Sequence, residues 1–89
     1  KEVIINSAFF WGNSETGPSP EFAILGGRPF SGTLTEYIDV PVSQIYQKPQ
    51  HLTMEQAAAI PLAGLTAYRA TFTKGEVEKG KKVLITGVG

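Results

Sequence analysis

The chain has 89 residues, with 8 lysines and arginines against 8 aspartates and glutamates, and no cysteine. That length allows one small domain or a piece of a larger one, and balanced charge without a basic block argues against a nucleic-acid partner. Without cysteine, this stretch holds no disulfide framework or thiolate metal site, and no apolar run reaches the ~20 residues of a membrane span.

Lys1-Glu2 lead straight into Val3-Ile4-Ile5 with no initiator methionine, and the last residue, Gly89, falls inside a turn that needs a continuation. These ends favour a piece of a longer protein. No signal-peptide layout opens the chain, so cytoplasm is the default expectation. Val3-Ile4-Ile5 is a short β-branched strand candidate, interrupted at Asn6-Ser7. Through residues 6–32 no helical or alternating period lasts, and Gly12, Gly17, Pro18, Pro20, Gly26, Gly27 and Pro29 punctuate the segment. A loop of this length is functional or a mobile insertion. Burying Phe9, Phe10 and Trp11 does not offset the backbone entropy of fixing it, so it is expected to dock on protein outside this chain or to stay partly mobile.

Residues 32–40, GTLTEYIDV, restore order. Leu34, Glu36, Ile38 and Val40 alternate with Thr33, Thr35, Tyr37 and Asp39, which predicts a strand with one polar intruder on its apolar face. Glu36 is either at an open sheet edge or bonded to backbone amides; burial of Leu34 and Ile38 beside it favours the second. Pro41 ends the pairing. Ile45-Tyr46 is another short extended piece, closed by Pro49.

Thr53-Met54-Glu55-Gln56 is a capping box that starts a helix through residues 57–60. Pro61 breaks it and sits near the first turn of a second helix running to about Thr73, with Lys74-Gly75 as its C-cap. Ala63, Gly64 and Ala67 give that helix a narrow side, where another backbone can come close. Gly80 turns the chain into residues 81–89, KKVLITGVG, an apolar run expected to be a strand buried on both faces. A strand leading into Gly87-Val88-Gly89 is how a nucleotide-binding βα unit begins, the glycines letting backbone approach a phosphate. The third glycine and the acidic residue about 20 positions on are beyond this sequence. An ordinary glycine turn is the plain alternative.

Three stretches then agree: Gly32-Thr33-Leu34-Thr35-Glu36-Tyr37 with Val40-Pro41; Ala57-Ala58-Ala59-Ile60-Pro61-Leu62-Ala63-Gly64-Leu65-Thr66-Ala67-Tyr68; and residues 80–89. In this order and spacing they resemble the medium-chain dehydrogenase/reductase superfamily, and within it the zinc-independent quinone-oxidoreductase-like branch, often labelled zinc-type alcohol dehydrogenase-like. The resemblance implies a mixed α/β internal fragment. Residues 1–52 would be part of a GroES-like β-barrel substrate domain, residues 53–80 linking helices, and residues 81–89 the first strand and glycine turn of a truncated Rossmann domain. It makes Gly87 and Gly89 pyrophosphate-approach glycines and matches Thr66 to a threonine near the nicotinamide. A helix hydroxyl bonded one turn back is the equal alternative for Thr66. Zinc alcohol dehydrogenases carry a four-cysteine lobe where this chain has residues 6–32, and a cysteine metal ligand where it has Leu62. Leucine cannot ligate zinc, so no metal is expected.

The resemblance implies NADP as cofactor, with NAD as the alternative, a small-molecule substrate, and a homodimer as the parent's assembly. Hydride would pass from NAD(P)H to a quinone, activated alkene or carbonyl by orientation alone, with Leu62 and residues 9–11 as apolar wall. No catalytic residue is named. Tyr37, Tyr46 and Tyr68 read as packing residues with bonded hydroxyls, and His51 as a surface histidine. Glu36 and Asp39, on opposite faces of a strand, are not a catalytic pair. Two other classes stay open: a non-catalytic NADPH-binding sensor or structural homologue, and the start of a phosphate-loop NTPase. Taken alone, the 89 residues are expected to be inactive.

Overall fold

Val3, Ile4 and Ile5 suit a pleated ladder, and in the computed structural model, which describes residues 1–88, they form strand β1 (Val3–Ile5). It pairs antiparallel with β4 (Ile45–Gln47) in the register Val3 opposite Gln47, Ile4 opposite Tyr46 and Ile5 opposite Ile45. The ladder continues one bond at each end, Asn6 N to Gln44 O at 2.8 Å and Lys48 N to Glu2 O at 3.1 Å. Asn6 then ends β1 by accepting the Ala8 amide on Oδ1 at 3.0 Å, a local turn that competes with further pairing. A short 3-10 turn, Val42–Gln44, delivers the chain from Pro41 into β4.

Residues 6–32 are organised within this chain, which corrects the expectation of a loop that docks elsewhere or stays mobile. A second antiparallel pair, β2 (Ala8–Phe9) with β3 (Ala23–Ile24), closes its base. Phe9 is 2% exposed and meets the Phe30 ring edge-on, with centroids 5.1 Å apart. Trp11 and Phe22 make a second edge-on pair at 5.3 Å. Ser19 ties the loop across its neck, its amide to Trp11 O at 2.7 Å and its hydroxyl to Phe10 O at 2.6 Å. Each two-residue strand is too short to show a period, but together with the aromatic pairs they supply the contacts that the sequence alone hides.

The strand expected over residues 32–40 does not form. Leu34 is exposed rather than buried, Tyr37 is exposed, and Glu36 is exposed too, so the reading of a carboxylate buried beside Leu34 and Ile38 does not hold. Alternation becomes a strand only where a neighbour offers a ladder, and among the described residues none lies alongside. A local turn wins instead, with Thr35 N bonded to Thr33 O at 2.9 Å and Thr35 Oγ1 donating to Tyr37 O at 3.0 Å. Val83, Leu84 and Ile85 are likewise exposed, and residues 81–88 carry no ladder hydrogen bonds, contrary to the buried strand expected there. Tyr37, Tyr46 and Tyr68 are exposed too, although the Tyr68 ring packs against Phe72 with centroids 4.9 Å apart. His51 is exposed as expected.

The helical part follows the sequence closely. Thr53 caps α1 (Met54–Ala58), its hydroxyl accepting the Gln56 amide at 3.2 Å while Gln56 Oε1 accepts the Thr53 amide at 3.0 Å. The Glu55 carboxyl is held below its ordinary value, first by its own backbone amide and then by the Thr53 hydroxyl. Its contribution to stability is present above the unfolded carboxylate value and is lost as pH falls through the lowered folded one. Thr53→Ala should cost about 1 kcal/mol of stability and return the Glu55 titration, followed by NMR, toward the ordinary carboxylate range.

Ala59 breaks the helix, and α2 (Ile60–Tyr68) begins with Pro61 in its first turn. It runs on into a π-helical segment, Arg69–Lys74, which ends at Gly75. The Gly75 amide reaches back to Ala70 O at 2.8 Å, and Glu76 beyond it takes the left-handed conformation at φ 49°. Gly80, at φ +90°, makes the expected turn. Ala57, fully buried, is the helices' contribution to a small core. Among the described residues no helix is long and apolar enough to cross a membrane. The described architecture is a small mixed α/β unit with few strands.

Candidate functional site

The site begins with the spacing on α2. Leu62, Leu65 and Thr66 lie three and four positions apart and so share a face, which Arg69, Thr73 and Lys74 extend along the π-helical segment. Opposite them stands the aromatic loop with Trp11, Phe22 and Ile24. Between the two lies a cleft of about 660 Å³, floored by Asn6, Ser7 and Ala8. That volume suits a small organic ligand. A second depression of about 650 Å³, between Leu25 and Asp39, is lined by none of the residues the sequence singled out for substrate or cofactor.

Leu62 and Thr66 are thus brought together in one cleft, with Trp11 as part of its wall. Phe9 and Phe10 are not: Phe9 is buried in the aromatic pairing instead. The Thr66 hydroxyl donates to Leu62 O at 2.8 Å, one turn back. Its proton is therefore committed, and what it offers the cleft is the acceptor capacity of its oxygen. Gly87 has φ +74°, a left-handed conformation that suits glycine, but it does not line the cleft. Gly89 lies outside the described residues. Among the described residues no group of three or more histidines, cysteines or carboxylates is placed to hold a metal.

Sequence reasoning passed over two residues that shape this region, Arg69 and Lys74, and a third, Lys48, away from it. The Arg69 guanidinium lies 4.7 Å from the centre of the Trp11 ring and donates to Glu15 O at 2.7 Å. Lys74 Nζ donates to Thr16 O at 3.0 Å. Among the described residues no carboxylate lines the cleft, and its charged groups there, Arg69 and Lys74, are cations. Lys48 is buried and caps the turn before α1, donating to Pro49 O at 3.2 Å and to Leu52 O, with Glu2 Oε2 at 3.3 Å. No pattern in the sequence announces such bonds, because the acceptors are mostly backbone carbonyls.

Comparison with known proteins finds relatives across the chain. The chain is 36% identical over its whole length to the zinc-type alcohol dehydrogenase-like protein YogA of Leptosphaeria maculans. It is 42% identical over 66% of its length to the mitochondrial NAD(P)H oxidoreductase RTN4IP1 of Dictyostelium discoideum, and 38% identical over 85% to the crotonyl-CoA reductase of Streptomyces collinus. No family model and no solved structure matches. These likenesses define a dehydrogenase/reductase class of chain. It belongs to the medium-chain dehydrogenase/reductase family. The chain spans 26%, 18% and 17% of the lengths of those three relatives.

Proposed function

We propose that this chain is part of an oxidoreductase that uses NAD(P)H to reduce a quinone, an activated alkene or a carbonyl without zinc. The observation that carries the reading is the convergence of Leu62, Thr66 and Trp11 on one cleft. The residues suit a nicotinamide: the cleft has ligand-sized volume, no carboxylate among the described residues of its lining, and a hydrogen-bond acceptor at Thr66 Oγ1 for an amide N–H. When bound, the cofactor supplies the hydride equivalent. Leu62, Leu65 and Trp11 hold a flat acceptor and exclude water, so the chain's contribution is position and desolvation. Leu62 stands at the face of the cleft with no ligating atom, which supports the zinc-independent reading.

The same reading assigns residues 1–52 to a GroES-like barrel domain, residues 53–80 to linking helices, and residues 81–89 to the start of a Rossmann domain. NADP as the preferred cofactor, a homodimeric parent and a cytoplasmic location are further parts of it. The test is NADPH oxidation by the full-length protein with menadione or crotonaldehyde as acceptor. Saturable turnover that survives a metal chelator is expected. Absence of turnover with NADPH still bound would favour a sensor, and loss of turnover on chelation would overturn the zinc-independent mechanism. Thr66→Val should raise the KM for NADPH about 10-fold, the loss of roughly one hydrogen bond, with steady-state kinetics as the readout.

A further inference from the structure

We propose that Arg69 is a positioning residue that fastens the aromatic loop along the cleft, and that the Trp11 ring it holds selects flat conjugated acceptors over flexible aliphatic ones. The selectivity rests on the oxidoreductase reading; the tether does not.

Trp11 is restrained from three directions. The Arg69 guanidinium lies against the ring at 4.7 Å from its centre, and Phe22 meets it edge-on at 5.3 Å with 79° between the planes. The indole Nε1–H donates to Ser14 O at 3.2 Å. Contact from a cation, an aromatic edge and a carbonyl together fixes both the position and the tilt of the indole. The neck of the loop is closed by Ser19 on Trp11 O and Phe10 O at 2.7 and 2.6 Å.

Among the described residues, the side-chain hydrogen bonds between the loop and the helical segment that follows Leu62 and Thr66 come from the helical side. They run from Arg69 to Glu15 O at 2.7 Å and from Lys74 to Thr16 O at 3.0 Å, across 54 and 58 residues of chain. Both acceptors are neutral carbonyls on adjacent residues, so the two cations grip the loop backbone whatever side chains it carries. Arg69 does more, because its planar group also covers the indole. A ring held this way is a pre-set flat wall. A planar ligand stacks on it without ordering itself or the protein, whereas a short aliphatic chain covers less of it.

The experiment uses the full-length protein labelled with fluorotryptophan, the Trp11 resonance being identified by its loss in Trp11→Phe. In Arg69→Ala that resonance should move toward its solvent-exposed position and gain sensitivity to exchange of H2O for D2O. Arg69→Lys, which keeps the charge but not the plane, should show part of the same change, and it carries the test where Arg69→Ala does not fold. In kinetics, Arg69→Ala should raise the KM for menadione about 10-fold with kcat nearly unchanged, and that for crotonaldehyde by less than about 2-fold. An unmoved Trp11 resonance in both variants overturns the tether. Equal KM changes for the two acceptors overturn the selectivity. Where the wild-type protein turns over neither acceptor, the oxidoreductase reading falls and the selectivity with it, while the Trp11 resonance in the Arg69 variants still decides the tether.

Discussion

Gly75→Ala should lower stability by about 1–3 kcal/mol, the range for forcing an extra methyl into a filled space. A Cβ at that position would stand 2.8 Å from both Ala70 O and Thr71 O, closer than such atoms approach, and both are backbone atoms that cannot swing aside. The π-helical segment leaves no room there because the Gly75 amide and the Val77 amide fold back onto those two carbonyls, at 2.8 and 3.1 Å. The φ of Gly75 is −80°, open to any residue, so the cost is steric rather than conformational. Gly80→Ala isolates the other effect. Its added methyl meets nothing within 4 Å, but φ is +90°, so the cost is backbone strain of about 1 kcal/mol or more. Denaturant unfolding should rank Gly75→Ala as the more damaging. Since Arg69 and Lys74 lie on the same π-helical segment, Gly75→Ala should also loosen the loop they hold. Equal midpoints for Gly75→Ala and the unaltered protein would refute this account of the helix end.

What the sequence disclosed was local. The capping box at Thr53 and Gln56, the break before Pro61 and the turn at Gly80 each depend on residues within four positions of one another, and each formed as expected. So did the pieces at Val3 and Ile45, although their pairing spans some forty residues that sequence alone could not close. Alternation misled at residues 32–40 because it describes two faces, and faces are buried only by a neighbour. The loop over residues 6–32 erred in the opposite direction: its order comes from Phe9 on Phe30, Trp11 on Phe22 and Arg69 on Trp11, none of which follows a period. Of the cleft, the shared face of Leu62 and Thr66 was legible from their spacing on the helix. Arg69 and Lys74 were not, since a cation bound to a distant carbonyl leaves no trace in its own neighbourhood.

The 89-residue chain on its own should fail to bind NADPH, with affinity at least about 1,000-fold weaker than that of a full-length relative binding in the micromolar range. The cleft alone is too little. It offers the nicotinamide end Thr66 Oγ1, while Gly87, the described glycine matched to the pyrophosphate, lies off the cleft lining. Val83, Leu84 and Ile85, 54%, 88% and 72% exposed, give the glycine turn no buried strand to stand on. A turn without a rigid base presents its amides to a phosphate only part of the time, and apparent affinity falls by the fraction of time it is competent. Those side chains, with Leu34 and Tyr37, also leave large apolar groups exposed to solvent, which favours association. The isolated chain should therefore grow in apparent mass with concentration in analytical ultracentrifugation, and calorimetric titration with NADPH should show no saturable heat. A monomer that binds NADPH at micromolar concentration would show that the cleft and the glycine turn are already joined, and the assignment of residues 81–89 to the start of a larger nucleotide-binding domain would lose its physical basis.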